Sequence, residues 1–388
     1  MKLKVKNNKK KLKAPKLRFP EFTDDWEKCE LGQILKTHSF RKYLAIPQTY
    51  GDIEIIQQGD KPILGYSDGK PFTEYADIIL FGDHTVSLYK PTKPFFIATD
   101  GIKILSADGF DGQYLFATLE RYKPESQGYK RHFTILKNKG IWFTKNKNEQ
   151  FKIGSFFKEI DQLITLNQNK ISHIKDLKAG LLQKMFPKNG ETKPEIRFDG
   201  FTSDWKECLM ENLVTQVVRE VSKPKEPYKR VSVRSHAKGT FQQKVEDASK
   251  ISMSKLFIVK KNDLIVNITF AWEHAIAVAT DKDDGLLVSH RFPTYRSEGK
   301  SDINFIHYLV SKEEFRKKMD LISPGGAGRN RVLNKKEFLK ISSFVPELSE
   351  QQKIGEFFSQ LDNLLILYQR KLEHLQEQKK SLLKQMFI

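Results

Sequence analysis

Apolar residues recur at alternating spacings of four and three along two long stretches of the chain, Lys152 to Phe186 and Lys353 to Phe387. The first seam reads Ile153, Phe157, Ile160, Ile164, Ile171, Ile174, Leu181 and Met185, with Asn167 and Lys178 in its polar slots. The second reads Ile354, Phe358, Leu361, Leu365, Tyr368, Leu372, Leu375, Leu382 and Met386, with Lys379 in the slot matching Lys178. This alternation keeps one narrow face of a helix apolar and predicts a coiled-coil helix for each stretch. The stretches are copies, because a shift of 201 residues aligns them with 16 of 35 positions identical. Ser349 with Gln352 three residues on predicts a capping box at the start of the second helix, and Asn148 fills the matching slot of the first. Pro187 stops the first helix.

A shorter repeat lies ahead of each helix. Arg18-Phe19, Phe22-Thr23, Asp25-Trp26 and Cys29 return as Arg197-Phe198, Phe201-Thr202, Asp204-Trp205 and Cys208, at an offset of 179. The segment between the Trp motif and the helix is therefore 22 residues longer in the second half, since the helix offset is 201. Both intervening segments read as mixed α and β. Short β-rich runs at Ile53–Gln58, Asp77–Phe81, Phe95–Thr99 and Ile102–Leu105 precede a helical run at Tyr114–Tyr122. The second segment repeats the order with Arg230–Arg234, Asp263–Thr269, Ala275–Thr280 and Leu286–Ser289, then a helix from Ile303 to about Met319. The expected organisation is a basic disordered tail (1–16), a domain (17–148), a helix (149–187), a polar linker (188–196), a longer domain (197–347) and a second helix (348–388).

Charge narrows the class of partner. The 388-residue chain carries a formal charge of +19, and its first sixteen residues hold eight Lys and no acid. Such an excess favours a polyanion, and nucleic acid over a membrane because no stretch approaches the length of a span. The tail lacks the apolar run of a signal peptide, so a cytoplasmic protein is expected. Two Cys cannot build a zinc site or a disulfide framework; each is expected as a buried apolar side chain. Catalytic signatures are missing. Gly65-Tyr66-Ser67-Asp68-Gly69-Lys70-Pro71 is one residue short of a phosphate loop and ends in Pro where Ser or Thr must bind magnesium. There is no methyltransferase-type Asn-Pro-Pro run, and no pair of His at helical metal spacing.

Donor-rich loops are the candidate DNA contacts. After each domain's helix comes a basic turn, containing Lys130, Arg131 and His132 in the first domain and Arg329, Asn330 and Arg331 in the second, where Gly beside Arg lets backbone N–H groups and guanidinium donors reach a phosphate together. Arg41, Lys42, His84, Thr85, Arg234, His236, Trp272, His274, His290 and Arg291 combine donors and rings in predicted loops and suit base edges.

In its duplicated order the chain resembles the specificity subunit of a type I restriction-modification enzyme. The resemblance rests on Arg18-Phe19…Trp26 and Arg197-Phe198…Trp205, on Glu149-Gln150…Lys152-Ile153-Gly154 and Glu350-Gln351…Lys353-Ile354-Gly355, and on the Leu-Leu…Met-Phe closing each helix. It implies an α+β chain with an internal pseudo-two-fold repeat: two mixed α/β target recognition domains joined and separated by two long antiparallel coiled-coil helices. It also implies a non-catalytic reader of a split, asymmetric double-stranded DNA site, with no cofactor of its own. Two adenine-N6 methyltransferase subunits would dock on the helices and bring S-adenosylmethionine, and restriction subunits would bring ATP and magnesium. A coiled-coil scaffold with incidental charge and a freestanding DNA-binding regulator remain the alternatives.

Overall fold

The computed structural model describes residues 13–128, 130–188, 190–325 and 331–388. The chain forms two compact units, Met1–Lys170 with Tyr368–Ile388, and Ile171–Leu367. The long helices run Lys147–Lys184 and Leu348–Met386, so each unit holds part of both.

In the first unit, Glu27–Glu30 pairs antiparallel with Gly140–Phe143, a strand more than a hundred residues on. A four-stranded sheet follows in the order Leu35–His38, Ile102–Ala107, Ile79–Gly82, Leu88–Tyr89. A three-stranded sheet sets Ile53–Ile56 between Ile63–Ser67 and the parallel strand Phe95–Ile97. Gly65 lies within a strand, which removes the phosphate-loop reading. The helix Gly112–Tyr122 buries Tyr114, Leu115, Ala117 and Leu119, and Asp111 caps it by accepting from the N–H groups of Gln113 and Tyr114.

The second unit has the same order of parts. Lys206–Leu209 pairs with Ser342–Val345, and a four-stranded sheet runs Thr215–Val217, Thr294–Arg296, Leu264–Val266, Ile276–Val278. Its other sheet has five strands, ordered Glu220–Ser222, Lys255–Ile258, Leu287–Val288, Tyr228–Val233, Thr240–Val245. The extra 22 residues of sequence thus accompany a larger second sheet. The helix expected from Ile303 to Met319 is two helices, Ile303–Val310 and Glu313–Leu321. Ser311 breaks it: its hydroxyl donates back to the His307 carbonyl, and Lys312 then turns to extended backbone.

The long helices start differently from the sequence expectation. Asn146 rather than Asn148 caps the first, accepting from the N–H groups of Asn148 and Glu149. Ser349 lies inside the second, where its hydroxyl donates to Glu347. Every seam position named above is buried or half-buried. Two polar slots are charge-paired: Lys379 donates to Asp161 at 2.5 Å in the first unit, and Lys178 pairs with Asp362 in the second. Cys29 and Cys208 are half-buried rather than buried.

Candidate nucleic-acid interface

The candidate surface of each unit is held on a frame that the repeated motifs build. In the first unit Glu149, fully buried, receives both Nε–H and Nη2–H of Arg18 at 2.6 and 2.9 Å, a bidentate pair at the start of the long helix. Gln150 accepts from the N–H of Asp111 and donates to the carbonyls of Gly109 and Thr144, fastening the helix Gly112–Tyr122 to the long helix. Gly154 is required because a Cβ there would lie 2.7 Å from the Tyr114 nitrogen. Phe387 closes the core between Trp26 and Tyr114, with ring centroids 5.8 Å from each. The second unit repeats this with its own residues. Arg197 grips buried Glu350 at 2.6 and 2.7 Å, Gln351 accepts from the N–H of Asp302, a Cβ at Gly355 would lie 2.8 Å from the Phe305 nitrogen, and Phe186 packs on Trp205 and Phe305.

On the first unit's surface, two of the predicted patches come together. Buried Asp83 accepts from the N–H of Phe133 through its carboxylate and from the N–H of His132 through its carbonyl, drawing the basic turn onto the loop Gly82–Ser87. That loop carries half-buried His84 and exposed Thr85, and exposed Lys130 and Arg131 follow from the turn. Val86 in the same loop is buried with φ 58°, a costly conformation for a β-branched residue and one that tight loops at functional surfaces retain. Arg41 and Lys42 are exposed on a separate short helical turn, followed by exposed Ile46 and Tyr50; backbone bonds between Gln48 and Tyr66 zip this segment to the neighbouring strand.

His132 does not belong to the surface. It is buried, its Nδ1 lies 3.0 Å from the Asp83 carbonyl and its Nε2 accepts from the Gln127 N–H at 3.0 Å. A carbonyl only accepts, so Nδ1 carries a proton toward Asp83, and both ring nitrogens are used within the fold. His274 is likewise buried: Nε2 donates to the Val310 carbonyl at 2.7 Å, and burial pushes its pKa down. Both rings are buried and bonded to the backbone, a correction to the exposed loop positions expected for them.

In the second unit the N–H groups of His236 and Ala237 donate to the Glu273 and His274 carbonyls, so the loop with exposed Arg234 and His236 lies on the turn with Trp272. Arg331 stacks its guanidinium over Trp272, 5.5 Å from the ring centroid, and donates to the Ser323 carbonyl and to Asp320. It is committed within the protein, unlike Lys130 and Arg131. Arg329 and Asn330 lie outside the described residues. His290 and Arg291 are exposed, and Arg291 opens onto a cleft of about 350 Å³ shared with Tyr228, Arg230, Gln243, Asn267 and Phe270. Arg230, Gln243 and Asn267 escaped the sequence reading because they sit in or beside strands. The available signal was the period-two alternation of Tyr228–Val233, which puts Arg230 opposite the buried valines.

Among the described residues no cluster of His, Cys, Asp and Glu could hold a metal ion, and no helix is long and apolar enough to cross a membrane.

Both units thus present donor-lined surfaces on a repeated frame, and in comparison with known proteins residues 222–377 match the family described as type I restriction modification DNA specificity domain. The fold agrees over the whole chain. A structure of the S subunit of a type I restriction-modification system from M. genitalium aligns with TM-score 0.63 and 16% identity, covering 97% of this chain and 99% of that one. Residues 222–377 thus match the type I restriction modification DNA specificity family, and the chain as a whole shares the fold of that S subunit. Weaker likenesses are to the HsdS subunit from Thermoanaerobacter tengcongensis (TM-score 0.42, 14% identity, 93% and 96% covered) and to a chain from a study of type I R-M complex assembly and conformational transition (TM-score 0.46, 13%, 92% and 96%). No curated protein matches the sequence.

Proposed function

We propose that each domain reads one half of a split, asymmetric duplex site, and that the two long helices pair antiparallel as a coiled coil that fixes the spacing between the halves. The observation that carries this is the contrast within each unit between a repeated frame and a changed surface. The same Arg–Glu clamp and Gln fastening recur, whereas the outer sheet has three strands in one unit and five in the other. A scaffold would have no need of two different donor-lined faces on one frame. The reciprocal pairs Lys379–Asp161 and Lys178–Asp362 support the antiparallel helix pair, since each links the early part of one helix to the late part of the other. Two adenine-N6 methyltransferase subunits dock on the helices and supply S-adenosylmethionine, and restriction subunits supply ATP-driven cleavage with magnesium.

The test is to exchange residues 18–147 for the equivalent domain of another specificity subunit, express the chimera with its methyltransferase and map methylated adenines. One half of the site should change and the other should stay. A change in both halves, or duplex binding that ignores salt, refutes the reading.

A further inference from the structure

We propose that Arg230, held in place by Gln243, reads a guanine in the half-site of the second unit. This rests on the split-site reading above and adds to it a residue and a base.

The hairpin Tyr228–Val233 with Thr240–Val245 sets Arg230 directly opposite Gln243. Val231 and Val233 turn inward onto Val259 and Ile265, so the alternation of the strand sends Arg230 to the other face, into the cleft of about 350 Å³. There Nε–H donates to Gln243 Oε1 at 2.9 Å. With that nitrogen fixed, the plane of the guanidinium is set and its terminal nitrogens remain to donate.

What separates this arginine from most others of its unit is the lack of an acid, and from exposed Arg234 and Arg291 its partial burial. Arg197, Arg219, Arg296, Arg316 and Arg331 of the same unit each have a carboxylate within 4.0 Å. Among the described residues Arg230 has none, although it is half-buried. A half-buried guanidinium without a counter-charge costs stability unless something outside the chain completes it. The surroundings exclude a cationic or neutral apolar occupant: residues 228–245 hold five Lys or Arg and no acid. The hairpin lies at the edge of its five-stranded sheet, strands are among the elements that read grooves of B-DNA, and a guanidinium fork matches guanine O6 and N7, the commonest specific contact in the major groove. Arg291, across the cleft and also without an acid, supplies further positive charge for the backbone beside it.

The experiment uses the full chain with its methyltransferase on a library of duplexes randomised through the half-site, read as methylated adenine per sequence. Arg230→Ala should relax one position of the second half-site from guanine to any base, reducing discrimination there by about 5- to 150-fold, with every other position unchanged. Arg230→Gln should move the preference at that position toward adenine, whose N6 and N7 suit an amide. Gln243→Ala should keep the guanine preference and weaken it. Assembly with the methyltransferase, measured by gel filtration, shows that the variants fold. An unchanged motif, or a loss of methylation equal for all sequences, overturns the proposal, since either makes Arg230 a phosphate contact or a structural residue. Failure of the unaltered protein to mark a split motif counts against the proposed function instead, and is read from that protein alone.

Discussion

The two units keep the same interior contacts and differ at their surfaces. Glu149 and Glu350 are both fully buried and both clamp an arginine from the segment before the Trp. Trp26 donates its indole N–H to Glu149 at 3.4 Å, yet Trp205 makes no such bond, so even in the frame the copies have drifted where a single neutral donor is concerned. Outside the frame little matches: the first unit presents exposed Arg41, Lys42 and Arg131, the second an arginine cleft. The lesson is that repetition persists where one residue must satisfy several partners at once, and is lost where a side chain faces solvent.

The largest expected effect comes from breaking the frame. Removing one partner of a buried, hydrogen-bonded ion pair leaves the other charge uncompensated and costs about 3–5 kcal/mol. Glu149→Ala should therefore destabilise the first unit, and Glu350→Ala the second, by similar amounts. Denaturant unfolding followed by a probe in each unit checks this. Equal loss of both units from either substitution, or no loss, breaks the comparison.

How far the sequence revealed this follows from which residues repeat. Glu149, Gln150 and Gly154 were visible as a motif because their partners are also repeated, and the structure supplies the reason for each. The antiparallel pair of Glu27–Glu30 with Gly140–Phe143 was not visible, since four-residue strands so far apart carry no local signal. His132 and His274 looked like surface donors because sequence shows residue type without burial. For Arg331 the sequence showed only its place after a glycine turn, whereas Asp320 and Trp272 are brought to it by folding.

A smaller difference concerns pH. Burial pushes the pKa of His274 and His307 down, and both lie in the second unit. A histidine whose folded pKa is lowered contributes fully above the ordinary value of about 6.5, and its contribution is lost as pH falls from there toward the folded value, because the unfolded chain takes up the proton first. Around these rings Glu313 and Asp362 favour the charged form, while Arg316, His236 and Lys178 oppose it. In the first unit burial raises the pKa of Asp161, against the pull of Lys379. That sign is opposite: its contribution is present below the ordinary carboxylate range and is lost as pH rises. Between pH 7 and 5 the second unit should lose stability, by at most about 1.4 kcal/mol per pH unit for each histidine, while the first should not. Unfolding of each unit at pH 7, 6 and 5 measures the difference, and parallel loss would show that other groups control it.

The smallest effect distinguishes two arginines that the sequence placed in equivalent turns. Arg131 is exposed and is free to reach a phosphate, so Arg131→Ala should remove one counterion-releasing contact and lower the slope of log K against log salt by about 0.9. Arg331 spends its donors on Asp320 and on the Ser323 carbonyl, over the Trp272 ring. Arg331→Ala should leave the salt slope unchanged and reduce the stability of the second unit by about 1 kcal/mol, the order of a partly exposed hydrogen-bonded contact. Binding titrations at three or more salt concentrations, with unfolding run in parallel, separate the cases. A slope change for Arg331→Ala would mean that its bond to Asp320 opens on DNA, and that the two turns are alike in function although different in the free chain; a slope unchanged in both would remove the first turn from the interface.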